Sequence, residues 1–161
     1  MGAVFMHAVA TWASWFANSA ALRTGIAFAH VGGLVASAGP ALVTDYAVLR
    51  ASRRDAQART SALRDLVARH RWVISGLTVV IVSGVMLLFA DLDSYLPSTA
   101  FWIKMAGVVL LAANGSMMWH ATRAASAGRA AAWRTLRVAA VISIVLWMAI
   151  TLLGTALPNV I

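Results

Sequence analysis

The sequence predicts an all-α integral membrane protein, a four-helix bundle preceded by an N-terminal interfacial amphipathic helix. Three observations predict it. Hydrophobic residues make up 61% of the 161 residues and charged residues only 11%, whereas soluble domains carry about 25% charged residues. Four apolar segments each come near the roughly 20 residues that a 30 Å hydrocarbon core demands. The connections between them alternate between arginine-rich and acidic, as loops on opposite sides of a membrane do. Mean hydropathy is +0.82, and residues 1–161 read as a single transmembrane domain.

Residues 3–18 form the interfacial helix. His7, Thr11, Ser14 and Asn18 share one helical face, and Phe5, Val9, Trp12 and Phe16 share another. Trp12 and Trp15 suit the headgroup level. Met1 to Ala20 lacks the basic start of a signal peptide, so the segment is expected to be retained.

The first span covers residues 22–49. His30, Gly33, Ser37, Ala41, Thr44 and Asp45 recur at three- or four-residue spacing, a small and polar stripe that must face protein. Gly32-x-x-x-Ala36 and Gly33-x-x-x-Ser37 are small-xxx-small pairs that admit a neighbouring helix. Pro40 removes a backbone donor and predicts a bend between His30 and Asp45. Asp45, at the end of the span, is expected to pair with an arginine, with a proton-relay role as the alternative.

The following loop holds Arg50, Arg53, Arg54, Arg59, Arg64, Arg69 and Arg71. Asp55–Arg59 and Ser61–Asp65 stand one helical turn apart, so it reads as a solvated basic helix at the lipid surface. The second span covers 72–90, and the acidic connection Asp91–Pro97 contains no basic residue. The third span, 99–121, has an interior face of Lys104, Gly107, Leu111, Gly115 and Met118, with Asn114 beside it. The fourth covers 138–157, after a loop with Arg123, Arg129, Arg134 and Arg137. The arginine loops belong in the cytoplasm by the positive-inside rule, which places both termini outside. The expected location is a bacterial cytoplasmic (inner) membrane, crossed several times.

A formal charge of +8 does not imply nucleic acid, because the arginines fall between apolar runs, where orientation and anionic lipid account for them. The chain has no cysteine, which excludes disulfides, thiolate metal sites and a cysteine nucleophile. No phosphate loop, zincin helix or serine triad is present. Catalytic residues cannot be assigned, and enzyme activity is left open.

Ionisable groups at membrane depth are costly, so each one marks a candidate site. At 1.5 Å per residue, Lys104 and His30 lie about 8 Å and about 12 Å below the outer boundary, where they can meet. His70 and His120 form a second candidate pair at the opposite end. Each has a plainer reading: His30 as packing glue, Lys104 snorkelling to headgroups, His70 and His120 among interfacial arginines. Met86, Met105, Met117, Met118 and Met148 show no Met-x-x-Met series and read as fillers rather than copper ligands.

The stretch from Ala29-His30-Val31-Gly32-Gly33 to Thr44-Asp45-Tyr46-Ala47-Val48-Leu49, with Ser83-Gly84-Val85-Met86, Phe101-Trp102-Ile103-Lys104, Asn114 and His120, resembles an uncharacterised group of bacterial four-helix membrane proteins. The chain departs from that group where Arg50 stands later after the aspartate and where Leu153-Gly154-Thr155 lacks an arginine after the glycine. More distantly, a histidine in the first span with a lysine in the third is similar to bacterial membrane protoporphyrinogen oxidases and CopD-type copper-resistance proteins. These resemblances imply haem or porphyrin chemistry in one case and copper in the other.

The leading expectation is a small redox-linked membrane protein holding haem b in its bundle. His30 would be the ligand, with Lys104, Asn114 and Ser37 as further cofactor contacts and His70 with His120 as the alternative metal pair. The competing expectations are a non-catalytic subunit or scaffold of a larger membrane complex, and a small transporter or copper-handling protein. Expected partners are the lipid bilayer, an electron-transfer protein or larger complex, and a second copy of the chain.

Overall fold

The computed structural model describes residues 2–157. They form six helices: α1 (Gly2–Asn18), α2 (Ala20–Ala51), α3 (Ala56–Ala90), the one-turn α4 (Leu92–Tyr95), α5 (Thr99–Ser126) and α6 (Ala132–Ala156), with no strand among the described residues. α2, α3, α5 and α6 are each long and apolar enough to cross a membrane. This is a multi-pass, all-α, four-helix membrane protein.

Side-chain caps set most helix starts. Ser19 accepts from the Leu22 amide, Asp55 from Ala58, Asp91 from Ser94 and Ser98 from Phe101, satisfying amides that the first helical turn leaves without partners. Arg23 closes the other end of α1 by donating to the carbonyls of Phe16 and Ala17. Gly128, at φ 80°, makes the turn between α5 and α6, a backbone conformation that a Cβ would strain.

The expectation of a separate basic surface helix gives way to one continuous α3 of 35 residues. No proline or glycine interrupts residues 56–75, and the Asp55 cap starts the helix well before the apolar run begins. α2 likewise runs unbroken through Pro40.

α2 and α3 form one hairpin, α5 and α6 another, and contact between α2 and α6 joins them, whereas α3 and α5 touch little. The first hairpin closes on small residues. A Cβ on Gly76 would lie 2.8 Å from the Ser37 amide nitrogen and 2.9 Å from the Gly33 carbonyl oxygen, so the two backbones are in direct contact. Of the two small-residue pairs in α2, Gly33 and Ser37 make this approach; a Cβ on Gly32 would meet nothing within 4 Å.

At the arginine-rich end, Val48, Ala121, Ala125, Ala132, Leu136 and Ala140 form one buried cluster. Ala41, Leu111, Trp147 and Ile150 form another at mid-bundle. α1 packs on the opposite end of α3, where the Trp12 indole donates to the Met86 carbonyl at 2.9 Å and Phe5 meets Phe89 edge to face. Trp12 is thus held by protein, while Trp15 stays exposed.

Candidate functional site

The buried stripe of α2 comprises Ile26, Gly33, Ser37, Ala41, Thr44, Asp45, Val48 and Ala51, close to the face expected from sequence. Its two halves have different surroundings.

The half around His30 is a packing seam. His30 Nδ1 lies 3.0 Å from Ser83 Oγ, and a Cβ on Gly84 would lie 3.2 Å from the ring. Ser83 donates its own hydroxyl to the Val79 carbonyl at 2.6 Å, so it accepts from His30. The proton then sits on Nδ1, and Nε2 carries the lone pair. Lys104 bears electrostatically on this ring, and its Nζ lies 3.4 Å from where a Cβ on Gly154 would stand. Ser37 is fully buried and donates to the Gly33 and Leu34 carbonyls of its own helix. The structure therefore brings His30 and Lys104 to one level and places Ser37 in the α2–α3 contact.

The half around Asp45 faces a chamber of about 390 Å³ between α3 and α5, backed by α2 and α6. α3 contributes Leu66, Arg69, His70, Val73, Ile74 and Leu77; α5 contributes Leu111, Asn114, Met118, Trp119 and Thr122; Ala41, Thr44, Asp45, Ser143 and Trp147 close the back. The chamber exists because α3 and α5 stand apart along bulky residues.

Asp45 is 1% exposed. The expected arginine partner is not beside it. The Ser143 hydroxyl faces its carboxylate instead, and Oδ2 has no hydrogen-bond partner. Arg69 shares the chamber wall, and His70 stacks on Trp119 with ring centroids 4.5 Å apart. Asn114 donates from Nδ2 to the Ala139 carbonyl at 3.0 Å, which leaves its Oδ1 buried without a donor. Ala139 and Ser143 are one turn apart on α6, about 6 Å in rise. Two unsatisfied acceptors thus stand near one face of one helix. A buried acceptor left unpaired costs about 1–3 kcal/mol, more when charged, so native structures keep few of them without a reason.

Apart from Ser143, which faces Asp45, the hydroxyls of the chamber are engaged elsewhere. Thr44 donates to Pro40 and Ala41, Ser116 to Ala112 and Thr122 to Met118, all carbonyls of their own helices.

His70 and His120 are not brought together. Trp119 occupies the face of α5 that meets His70, and His120 follows it about 100° around the helix. His120 is exposed, in a shallow groove with Arg123 and Arg129. No group of three or more His, Cys, Asp or Glu placed to hold a metal occurs among the described residues.

Sequence reasoning located Asn114 and singled out Asp45, but it missed Ser143 and Trp147. Their signal was present: Ala139, Ala140, Ser143, Trp147 and Ile150 recur at helical spacing and are all buried. Comparison with protein-family models, with curated proteins and with solved structures finds no match to this chain.

Proposed function

We propose that this protein is a small-solute carrier whose binding chamber is the space between α3 and α5, with Asp45 as its charged centre. One observation carries the reading: Asp45 is the only acidic residue inside an apolar span, it lines a chamber, and Oδ2 has no partner. A carboxylate at this depth needs a proton or a cation to balance it, and intramembrane acids characteristically mark proton relays and solute paths. The arginine-rich end is cytoplasmic in this reading, and the membrane is a bacterial inner membrane.

The absence of cysteine makes single reporters clean. Ser116→Cys places a thiol on the chamber wall. In intact cells and in inverted vesicles, a carrier exposes that thiol to an impermeant reagent from both sides in turn, and Asp45→Asn changes the ratio of the two rates. Labelling from one side only, or none, overturns the carrier and favours a scaffold role. Ser61→Cys and Ser94→Cys report orientation in the same preparations: Ser94→Cys reacts in intact cells and Ser61→Cys in inverted vesicles.

The haem b reading keeps one supporting observation. Ser83 holds Nδ1–H of His30 and leaves Nε2 free to ligate, the arrangement that orients ligating histidines. The chamber, however, lies at the level of Asp45 rather than His30. A Soret band lost in His30→Ala but retained in Asp45→Asn would favour haem at His30.

A further inference from the structure

We infer that the solute recognised by the chamber is a protonated, lipophilic primary amine that reaches Asp45 sideways, out of the bilayer, through the α3–α5 opening. This rests on the carrier reading for its purpose, but it concerns binding and stands or falls separately.

The two unsatisfied acceptors specify the polar end. Asp45 Oδ2 and Asn114 Oδ1 both lack donors, while Thr44, Ser116 and Thr122 spend their hydroxyls on helix carbonyls and Ser143 already faces Asp45. A ligand that completes this site must bring N–H or O–H groups, and the carboxylate favours one that also brings positive charge. An ammonium group has three donors and no acceptor. Rotation of the carboxylate about its terminal torsion is broad and two-fold, so one oxygen can stay toward Ser143 while the other meets the ligand.

The walls specify the rest of the molecule. Leu77, Leu111 and Met118 offer an apolar surface, and Trp147 adds an aromatic face that attracts cations, whereas Trp119 is already engaged by His70 and the Arg123 guanidinium. The charge distribution specifies the route. Arg69 and His70 stand on the chamber wall toward the arginine-rich end, and Lys104 guards the opposite half of α5. A cation approaching along the bundle axis therefore meets positive charge from either end. The α3–α5 opening presents Val73, Ile74 and Leu77, which a lipophilic amine dissolved in the bilayer passes without that penalty.

The full-length protein in nanodiscs of zwitterionic lipid provides the test, with tryptophan fluorescence as readout and benzylamine as probe. Benzylamine should quench to saturation. Benzyl alcohol lacks the charge and benzyltrimethylammonium lacks the N–H donors, and each should bind about tenfold or more weakly, as expected when a charge-assisted hydrogen bond is lost. Sodium chloride should not reproduce the effect. Asp45→Asn should weaken benzylamine by a similar factor and Asn114→Ala by less, whereas Ser83→Ala, in the His30 seam, should leave it unchanged.

Equal binding of benzyltrimethylammonium, saturation by sodium, or unaltered affinity in Asp45→Asn would overturn the inference. If Asp45→Asn does not fold, Asn114→Ala decides alone: unaltered affinity there overturns it. Benzylamine binding with one-sided labelling of Ser116→Cys would keep the amine site and remove the carrier. Two-sided labelling without benzylamine binding would do the reverse.

Discussion

Helix α3 has two neighbours and meets them with different residues. Toward α2 it offers Gly76, Ser83 and Gly84, and the backbones come into contact. Toward α5 it offers Leu66, Val73, Ile74 and Leu77, and a chamber remains. In water both faces would close, because apolar surface is driven together. In lipid the tails compete on equal terms with leucine, so small residues that permit close packing decide which helices join. Bulk keeps the other pair apart, and the space left between them becomes available to a ligand.

The same substitution at two glycines gives the sharpest test of that comparison. Gly76→Ala puts a methyl group into the α2 backbone and should cost about 1–3 kcal/mol or more, as overpacking does. Gly115→Ala lies beside the chamber, where a Cβ meets nothing within 4 Å, and should leave the thermal midpoint in detergent nearly unchanged. Equal losses at the two positions would break the contrast between the seams.

Asp45→Asn should move stability in the opposite direction. It keeps the shape and a hydrogen-bonding group opposite Ser143 while removing a buried charge that has no ion-pair partner. We expect a gain of about 1–2 kcal/mol in thermal unfolding, alongside the loss of amine binding. A destabilised variant would mean that Asp45 holds the bundle together rather than serving its chamber.

Much of this was legible in the sequence. The four spans, the buried stripe of α2 and the Gly33–Ser37 approach all follow from periodicity, because bilayer depth and close packing constrain residue type directly. The continuity of α3 was less legible, since charge density suggested a surface segment, although nothing between Ala56 and Ser75 breaks a helix. The site was harder still. His30 draws attention by its chemistry, but whether a polar residue meets a seam or a chamber depends on its neighbour's bulk, which no spacing within one helix discloses. Asp45 invited an arginine because seven follow it closely, yet Arg59 is held by the Ser52 carbonyl and the Trp133 ring, Arg69 shares only the chamber wall, and Asp45 turns to Ser143.

Ser83→Ala should have a smaller effect than Gly76→Ala or Asp45→Asn. It removes one acceptor of His30, whose ring also meets the Val80 backbone, and interhelical hydrogen bonds in membranes average about 0.6 kcal/mol. A loss well beyond that in chemical unfolding would give the His30–Ser83 contact more structural weight than one hydrogen bond carries.

The smallest effect concerns Tyr95, in the α4 turn outside the spans. Burial, reinforced by the nearby Asp91 carboxylate, raises its phenol above the ordinary value of 10.0. The folded protein therefore holds that proton more tightly than the unfolded chain. Its contribution is present below the unfolded value and declines as pH rises from there toward the folded one. Phenolate absorbance in a Tyr46→Phe background should titrate above a free tyrosine, and Tyr95→Phe should flatten the alkaline loss of stability. Titration of Tyr95 at the ordinary value would show the turn to be open to water.

At 1.5 Å per residue, α3 is about 52 Å long, roughly 20 Å more than a hydrocarbon core. The excess lies at the end carrying Arg59, Arg64, Arg69 and Arg71, and Trp72 follows the last of these directly. This overhang acts as a depth gauge: guanidinium and indole groups hold α3 at the interface while its remainder is free to lean. In a thicker or thinner bilayer the helix would change its angle before the ruler slipped, so the level of Asp45 is set by Arg69, Arg71 and Trp72 rather than by the thickness of the membrane.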